Sequence, residues 1–158
     1  MIRRRPIGQA VTGWTPPSSP DFKSIEGKYA RLDAFDPDAQ AEVIHAANKE
    51  DAENEIWTYL PYGPFETDAE YRDWMTASAA LQDPYFLAIF DKEKNAYGGV
   101  ASYLRVKPND GSIEVGHINF APQLQKTRAA TEAIFLMMDW AFSQGYRRFE
   151  WKCDALNA

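Results

Sequence analysis

The chain has 158 residues, a length that favours one domain with a sizeable core. Apolar residues make up 45% of it and charged residues 25%, proportions that are typical of a soluble globular protein and that exclude a disordered, collagen-like or coiled-coil chain. The formal net charge of −6 argues against nucleic acid as the main partner.

Three features bear on the compartment in which the protein works. The longest apolar run, at 133–140, contains Asp139, so we predict no membrane-spanning segment. Residues 3–5 are three arginines that imitate the start of a secretion signal, but no apolar stretch follows them. The single cysteine, Cys153, fits a reducing compartment. We therefore predict a cytoplasmic protein, and no metal site is predicted.

The first third of the chain predicts an arm, a strand and a helix. Residues 1–24 contain four prolines among glycine, serine and threonine, which predicts an extended N-terminal arm. Alternation of polar and apolar residues over 28–35 predicts a half-buried strand. Asp36 and Pro37 then provide an N-cap and a first helical residue, for a helix that ends near Lys49.

A loop and a second helix follow. The segment 56–65 is rich in aromatic residues and is interrupted by proline and glycine, which predicts a loop. Thr67 and Glu70 have the spacing of a capping box, and apolar residues follow them at helical spacing. Asp83-Pro84 ends this second helix.

From residue 85 onward the pattern changes to that of strands. Three are predicted, at 85–90, 100–106 and 112–120, and the short turns between them indicate an antiparallel meander. A long apolar helix at 128–144 and a strand at 146–153 complete the order. A strand–helix–strand connection implies a parallel pair. The whole predicts an α/β fold in which helices flank a mixed, mostly antiparallel sheet.

The junction between the third of these strands and the long helix carries the clearest chemical signal. It reads PQLQKTRAATEA over residues 122–133. Backbone N–H groups at the start of a helix attract anions, and the helix dipole disfavours cations there. Lys126 and Arg128 nevertheless lie at this start, which favours an anionic ligand. The alternative is that both are solvated charges.

This segment resembles the pyrophosphate-binding loop of the GNAT (GCN5-related N-acetyltransferase) superfamily, whose pattern is Gln/Arg-x-x-Gly-x-Gly/Ala. Gln125 fills the first position and Ala130 the last, whereas Arg128 replaces the usual central glycine. An arginine is compatible with binding if its backbone is helical, and it adds charge toward a phosphate. Residues 131–133 and 140–142 also look like the subgroup that acetylates the N-termini of ribosomal proteins (RimJ/RimL-like).

The resemblance implies the acyl-CoA N-acyltransferase fold, with acetyl-CoA as acetyl donor and an amine as acceptor. It also implies that the strand 112–120 diverges from the parallel strand after the helix, so that the pantetheine arm of the coenzyme lies against its backbone. The residues then expected to bind acetyl-CoA are Ile118, Asn119, Phe120, Gln125, Lys126, Thr127, Arg128, Ala129, Ala130 and Asn157.

Two side chains of this strand are candidate catalytic groups. Glu114 is the first candidate for the base that takes a proton from the acceptor, because the family often places a glutamate on this strand; the alternative is an ordinary cross-strand carboxylate. His117 is the second candidate, and its alternative is a packing role. Gly116 marks a possible bulge, across which strict alternation of faces is not expected.

The aromatic loop and the residue before it are the candidate acceptor site. Glu55 supplies a negative charge, and Trp57, Tyr59 and Tyr62 supply rings that attract an ammonium by cation–π contact. The alternative is that these rings only close the core beneath the loop.

The matched region ends where the resemblance implies a further helix and a strand pair. We therefore predict a domain over 25–158 that lacks those elements and leaves a sheet edge exposed, which makes a homodimer possible. The leading function is direct acetyl transfer from acetyl-CoA to a primary amine, either a protein N-terminus or a small amine. The alternative is a catalytically silent module of the same fold that binds CoA or another protein.

Overall fold

A computed structural model describes residues 5–157. The first four residues of the predicted arm, with the arginines at positions 3 and 4, and the last residue of the predicted domain lie outside the described residues.

The sheet has six strands that are neighbours in chain order. Successive strands are antiparallel, except that the last two are parallel. The predicted α/β fold with a mixed, mostly antiparallel sheet is therefore confirmed, as are the meander and the parallel pair. The strands are β1 (Ser24–Glu26), β2 (Ala30–Ala34), β3 (Tyr85–Asp91), β4 (Ala96–Lys107), β5 (Ser112–Phe120) and β6 (Arg148–Trp151).

The three predicted helices are present as α1 (Pro37–Asn48), α2 (Asp68–Ala79) and α3 (Arg128–Ser143). The predicted starts of α1 and α2 are confirmed. The Asp36 side chain accepts a backbone N–H of the first turn of α1. At α2, the side chains of Thr67 and Glu70 each accept the backbone N–H of the other residue, which is the capping box. Short 3-10 turns occupy Glu55–Trp57 and Pro108–Asp110. None of the helices within residues 5–157 is long and apolar enough to cross a bilayer.

The helices cover both faces of the sheet. α3 packs against one face, in a core that contains Leu32, Ile89 and Val115. α1 and α2 pack against the other face, in a core that contains Ala88 and Val100. Because successive strand residues point to opposite faces, the neighbours Ala88 and Ile89 belong to different cores.

The segment before residue 24 is attached to the domain, and the strand that follows it is a feature the sequence pattern did not predict. The indole N–H of Trp14 donates to the carbonyl oxygen of Gly145 at 2.8 Å, just after α3. Phe22 packs against Trp140 of α3, with ring centroids 4.9 Å apart. β1 then pairs with β2 over three residues, too few for a periodic pattern to reveal.

Glu132, in α3, fastens the beginning of that helix to the turn between β1 and β2. Its carboxylate accepts the backbone N–H groups of Lys28 (3.0 Å), Tyr29 (2.5 Å) and Ala30 (2.7 Å). Burial acts to raise the pKa of Glu132, but the three N–H donors outweigh it and hold the pKa below its ordinary value. Gly27 permits this approach, because a Cβ there would lie 2.5 Å from the carboxylate.

We expect Glu132→Gln to lower the free energy of unfolding by about 1–3 kcal/mol, because the variant replaces an ionised acceptor by a neutral amide. Urea unfolding at neutral pH measures this change. The contribution of a carboxylate with a lowered pKa is complete above its ordinary pKa of 4.5 and is lost as the pH falls through the lower folded value. The difference between the two proteins should therefore shrink in acid. Glu42→Gln, on the exposed side of α1, is the matched control, and an equal loss in both variants would contradict the role of Glu132.

Candidate active site

A gap opens between β5 and β6 where their pairing ends. The two strands pair in parallel over four residues each, and the last pair is Val115 with Trp151. Among the described residues this pairing goes no further, although β5 continues to Phe120 beside β4. The space beyond the last pair is a cavity of about 1240 Å³. The divergence of the two strands agrees with what the resemblance implies.

Three segments of the chain line this cavity. They lie within residues 51–61, after α1; within residues 116–125, from β5 toward α3; and within residues 151–157, from the end of β6. The charged or titratable side chains in the lining are Asp51, Glu55, Tyr59, His117, Lys152, Cys153 and Asp154.

The residues expected to bind acetyl-CoA divide into three groups. Those that line the cavity are Ile118, Phe120, Gln125 and Asn157. Asn119 is 1% exposed and pairs with Val100, whose side chain belongs to the α1 and α2 core, so Asn119 faces away from α3. The remaining residues, 126–130, form the start of α3 just beyond the lining.

The turn before α3 presents a row of backbone donors. Lys126 has a φ of 59°, and the extended Thr127 caps the helix by accepting the N–H of Ala130 at 3.1 Å. Within residues 5–157, no acceptor is hydrogen-bonded to the N–H groups of Lys126, Thr127, Arg128 or Ala129. Successive free N–H groups of this kind bind phosphate at the starts of helices. Arg128 is helical, which meets the condition for an arginine at this position.

The side chain of Arg128 is held by weak contacts. Its guanidinium pairs with Glu93 and lies 4.6 Å from the ring centroid of Tyr29. Both members of the ion pair are about half exposed or more, and screening by solvent makes such pairs weak. A phosphate at the start of α3 would therefore compete with Glu93 at little cost.

Glu114 lies behind the cavity and is not part of its lining. Its carboxylate is 5% exposed and accepts from Arg105 of β4 at 2.5 Å and from Lys152, the residue after β6. Burial acts to raise the pKa of Glu114, but the hydrogen bonds from Lys152 and Arg105 outweigh it and lower the pKa. The carboxylate thus connects β4, β5 and the residue that follows β6 at the closed end of the gap. Its lowered pKa makes it a weaker proton acceptor.

A bulge in β4 directs Arg105 toward Glu114. The register between β4 and β5 shifts after Leu104, and Arg105 has a φ of 46°. The backbone N–H groups of Arg105 and Val106 donate to the carboxylate of Asp83 at 2.8 and 2.9 Å. Asp83, which the sequence pattern assigned to the end of α2, therefore satisfies donors that would otherwise lack a strand partner.

A second bulge, in β5, places His117 in the cavity wall. The register with β4 shifts next to Gly116, and His117 has a φ of 51°. The predicted bulge at Gly116 is confirmed. The imidazole stacks on the ring of Tyr62, with centroids 5.6 Å apart and an interplanar angle of 14°. Burial lowers the pKa of His117 and the nearby charge of Arg105 lowers it further, against an opposing effect of Glu114.

A family model described as the acetyltransferase (GNAT) domain matches residues 31–158, which is most of the chain. The chain belongs to the GNAT acetyltransferase family. It is an N-acetyltransferase domain, and the family predicted from the helix-start motif is confirmed.

Three crystal structures illustrate the relationship. A GCN5-related N-acetyltransferase from Brucella melitensis is 34% identical, with a TM-score of 0.89 over 94% of this chain and 67% of that chain. A probable GNAT-family acetyltransferase from Chromobacterium violaceum is 32% identical, with a TM-score of 0.86 over 99% and 78%. RimL, an alpha-N-acetyltransferase of a ribosomal protein, shares the fold at 21% identity, with a TM-score of 0.67 over 92% and 79%. No curated protein sequence matches the chain at a significant level.

The acceptor residues expected of this GNAT domain divide between the cavity and the core. Glu55 and Tyr59 line the cavity. Trp57 is 6% exposed, and Tyr62 packs on Trp74 with ring centroids 4.6 Å apart, so both lie in the core beneath the loop. Glu55 and Tyr59 therefore fit the interpretation as an acceptor site, whereas Trp57 and Tyr62 fit the alternative that the rings close the core.

Sequence reasoning missed three charged residues of the lining, Asp51, Lys152 and Asp154. They come from two segments about a hundred residues apart, and neither segment carries a motif. The fold brings the segment after α1 and the segment after β6 to one cavity.

We expect Glu114→Gln to lower the free energy of unfolding by about 1–3 kcal/mol at neutral pH, since it removes the charge that joins Arg105 and Lys152. Because the pKa of Glu114 is lowered in the folded protein, its contribution is present above pH 4.5 and is lost as the pH falls through the folded value. Denaturant unfolding over a pH series checks both effects. Glu53→Gln, in an exposed loop, is the control; a loss that persists unchanged in strong acid would show that the ion pairs are not its cause.

Proposed function

We propose that this GNAT domain binds acetyl-CoA in the gap between β5 and β6 and transfers the acetyl group directly to a primary amine. The acceptor is a protein N-terminus or a small amine. The observation that carries the proposal is that the open gap and the row of free N–H groups at the start of α3 adjoin each other. The open gap suits an extended chain, and the free N–H groups suit a phosphate. Acetyl-CoA contains both an extended chain and phosphates.

The donor is expected to lie along β5. The pantetheine arm would use the β5 backbone at 118–120 as an added strand uses a sheet edge. The pyrophosphate would accept the N–H groups of residues 126–129, with Arg128 turning from Glu93 toward it. Gln125 and Asn157 lie in the wall between these two parts of the ligand.

The acceptor is expected to enter beside the loop after α1. The lining carries three carboxylates, Asp51, Glu55 and Asp154, against one lysine, Lys152, and this negative balance favours the approach of an ammonium ion. Tyr59, 45% exposed, offers a ring for cation–π contact at the same place.

The ammonium must lose a proton before its nitrogen attacks the thioester carbonyl. We assign His117 to accept that proton, because it lines the cavity and its pKa is lowered, so the neutral ring persists to lower pH. Glu114, the other candidate, then serves as the fixed negative charge behind His117. As the C–N bond forms and the C–S bond breaks, a β5 N–H directed into the gap stabilises the oxyanion, and the thiolate leaves to become the thiol.

Several expectations stay predictions: the homodimer, the cytoplasmic location and the absence of nucleic-acid and membrane partners. The alternative, a catalytically silent module of the same fold, predicts binding of CoA or of another protein without turnover.

Acetyl-CoA should raise the thermal unfolding midpoint, with a stabilisation of about 2.7 kcal/mol at a hundred times its Kd. Arg128→Glu should raise that Kd about tenfold or more, because it places a carboxylate where the phosphate binds. Arg72→Glu, which breaks another exposed arginine–carboxylate pair, is the matched control and should leave the Kd unchanged. No shift at millimolar acetyl-CoA would refute binding in the gap, and equal effects of both variants would refute the phosphate site.

Release of free CoA thiol with a panel of amines tests the transfer. His117→Gln should lower kcat by about 10²–10⁴-fold. In the wild type the rate should fall as the pH drops below 6.5 and through the lowered pKa of His117, because the protonated ring cannot accept a proton. Arg105 and Glu114 are the charged groups that act on this ring, and Glu114→Gln should move the acidic limb to lower pH by removing the charge that favours protonation. An unchanged acidic limb in His117→Gln would exclude His117 as the base.

A further inference from the structure

Beneath the aromatic loop lie several buried polar groups that the chemistry above does not use. Within residues 5–157, no hydrogen-bond partner contacts the side-chain amides of Asn48 and Asn119, the hydroxyls of Tyr62 and Tyr71, or Nδ1 of His117. Asn119, Asn48 and Tyr71 are 1%, 2% and 0% exposed. Buried polar atoms are nearly always hydrogen-bonded, because leaving one unpaired away from water destabilises the fold. We call these five residues the buried polar group.

Four members of the buried polar group are linked in successive pairs, and the fifth, Asn119, faces the same core. The ring of Tyr62 stacks on His117. The pKa of Tyr62 is raised by burial and by the proximity of Tyr71. Burial raises the pKa of Tyr71 as well, and the nearby Asn48 opposes that effect, although the two side chains do not reach hydrogen-bond geometry. Asn119, two residues after His117, faces the same α1 and α2 core as Tyr71.

The two nitrogens of His117 have different surroundings. Nδ1 is buried, whereas Nε2 is not among the buried atoms and the side chain lines the cavity. Nε2 is therefore the nitrogen that an acceptor amine can reach. A neutral imidazole carries one proton, so Nε2 can accept only if Nδ1 holds that proton. A buried Nδ1–H in turn needs an acceptor in the interior of the protein.

We propose that Asn119 is a positioning residue for His117: its side-chain oxygen accepts from Nδ1–H through an enclosed water molecule and so keeps Nε2 unprotonated toward the cavity. Water suits this place better than a part of the substrate, because Asn48, Tyr62, Tyr71 and Asn119 do not line the cavity. A buried water typically makes about three hydrogen bonds, and the buried polar group supplies that number. The functional consequence rests on the role given to His117 in the proposed function.

The tautomer of His117 can be observed directly by long-range ¹⁵N–¹H NMR of the imidazole ring. The chain has two histidines, so the spectrum of His117→Gln assigns both. In mildly alkaline buffer the wild type should carry the proton on Nδ1. Asn119→Leu, of similar size and without an amide, should shift His117 toward the Nε2-protonated form. It should also lower kcat by about 10–100-fold, the size of effect known for the orienting partners of histidines at metal sites, without changing the KM for acetyl-CoA.

Tyr103→Phe is the control for a general loss of stability. It removes a buried hydroxyl that donates to the Met137 carbonyl at 2.6 Å in the α3 core, so it should leave the His117 nitrogen shifts unchanged. If Asn119→Leu does not fold, the wild-type spectrum still tests the proposal, because the proposal requires the proton to be on Nδ1. A proton on Nε2 in the wild type, or unchanged shifts in a folded Asn119→Leu variant, would overturn the proposal. The spectrum requires neither acetyl-CoA nor turnover, so failure of the proposed function would be recognised separately, by the absence of coenzyme binding.

Discussion

β5 and β6 are hydrogen-bonded over four residue pairs, and the ligand side of this domain follows from the place where that pairing ends. α3 connects the two strands, so it must begin at the far end of β5 and return toward the beginning of β6. The start of the helix, with its free N–H groups, therefore lies at the open end of the gap. The topology of a parallel strand–helix–strand unit thus places a slot for an extended chain beside a site for phosphate, before any particular side chain is considered.

At the closed end of the gap, ion pairs of Glu114 connect β5 to its two neighbouring chain segments. A carboxylate as buried as Glu114 is costly unless cations and hydrogen bonds compensate for it. Arg105 and Lys152 provide that compensation from the two neighbouring chain segments, while their own side chains remain more than half exposed. These ion pairs depend on the bulge in β4, because Arg105 reaches Glu114 from that bulge. The backbone N–H groups of the bulge donate to the carboxylate of Asp83. The same charges reach His117, whose pKa reflects burial, Arg105 and Glu114 together.

The loop after α1 has two layers with different roles. Its outer layer, with Glu55 and Tyr59, faces the cavity, where its composition can change without loss of the core. Its inner layer, with Trp57 and Tyr62, packs on α2 and on the imidazole of His117. Under the proposed function, a substitution in the inner layer acts on the chemistry through packing, and one in the outer layer acts through contact with the acceptor. Of the buried polar group, only His117 lines the cavity among the described residues, whereas Asn48, Tyr62, Tyr71 and Asn119 do not reach it.

The sequence by itself determined the features that depend on residues close together in the chain. The cap at Asp36, the capping box at Thr67, the strand periods and the helix-start motif each need only one turn or one strand, and together they identified the fold and the family. Tertiary structure alone decided the chemistry of the individual side chains. The partners of Glu114 lie 9 and 38 residues away, and the ring that packs on His117 lies 55 residues before it. The bulge at His117 also resets the alternation of β5, which turns Asn119 from the expected coenzyme side to the opposite core. Burial and charge pairing arise from contacts between distant segments, so no local pattern could have assigned the roles of these residues.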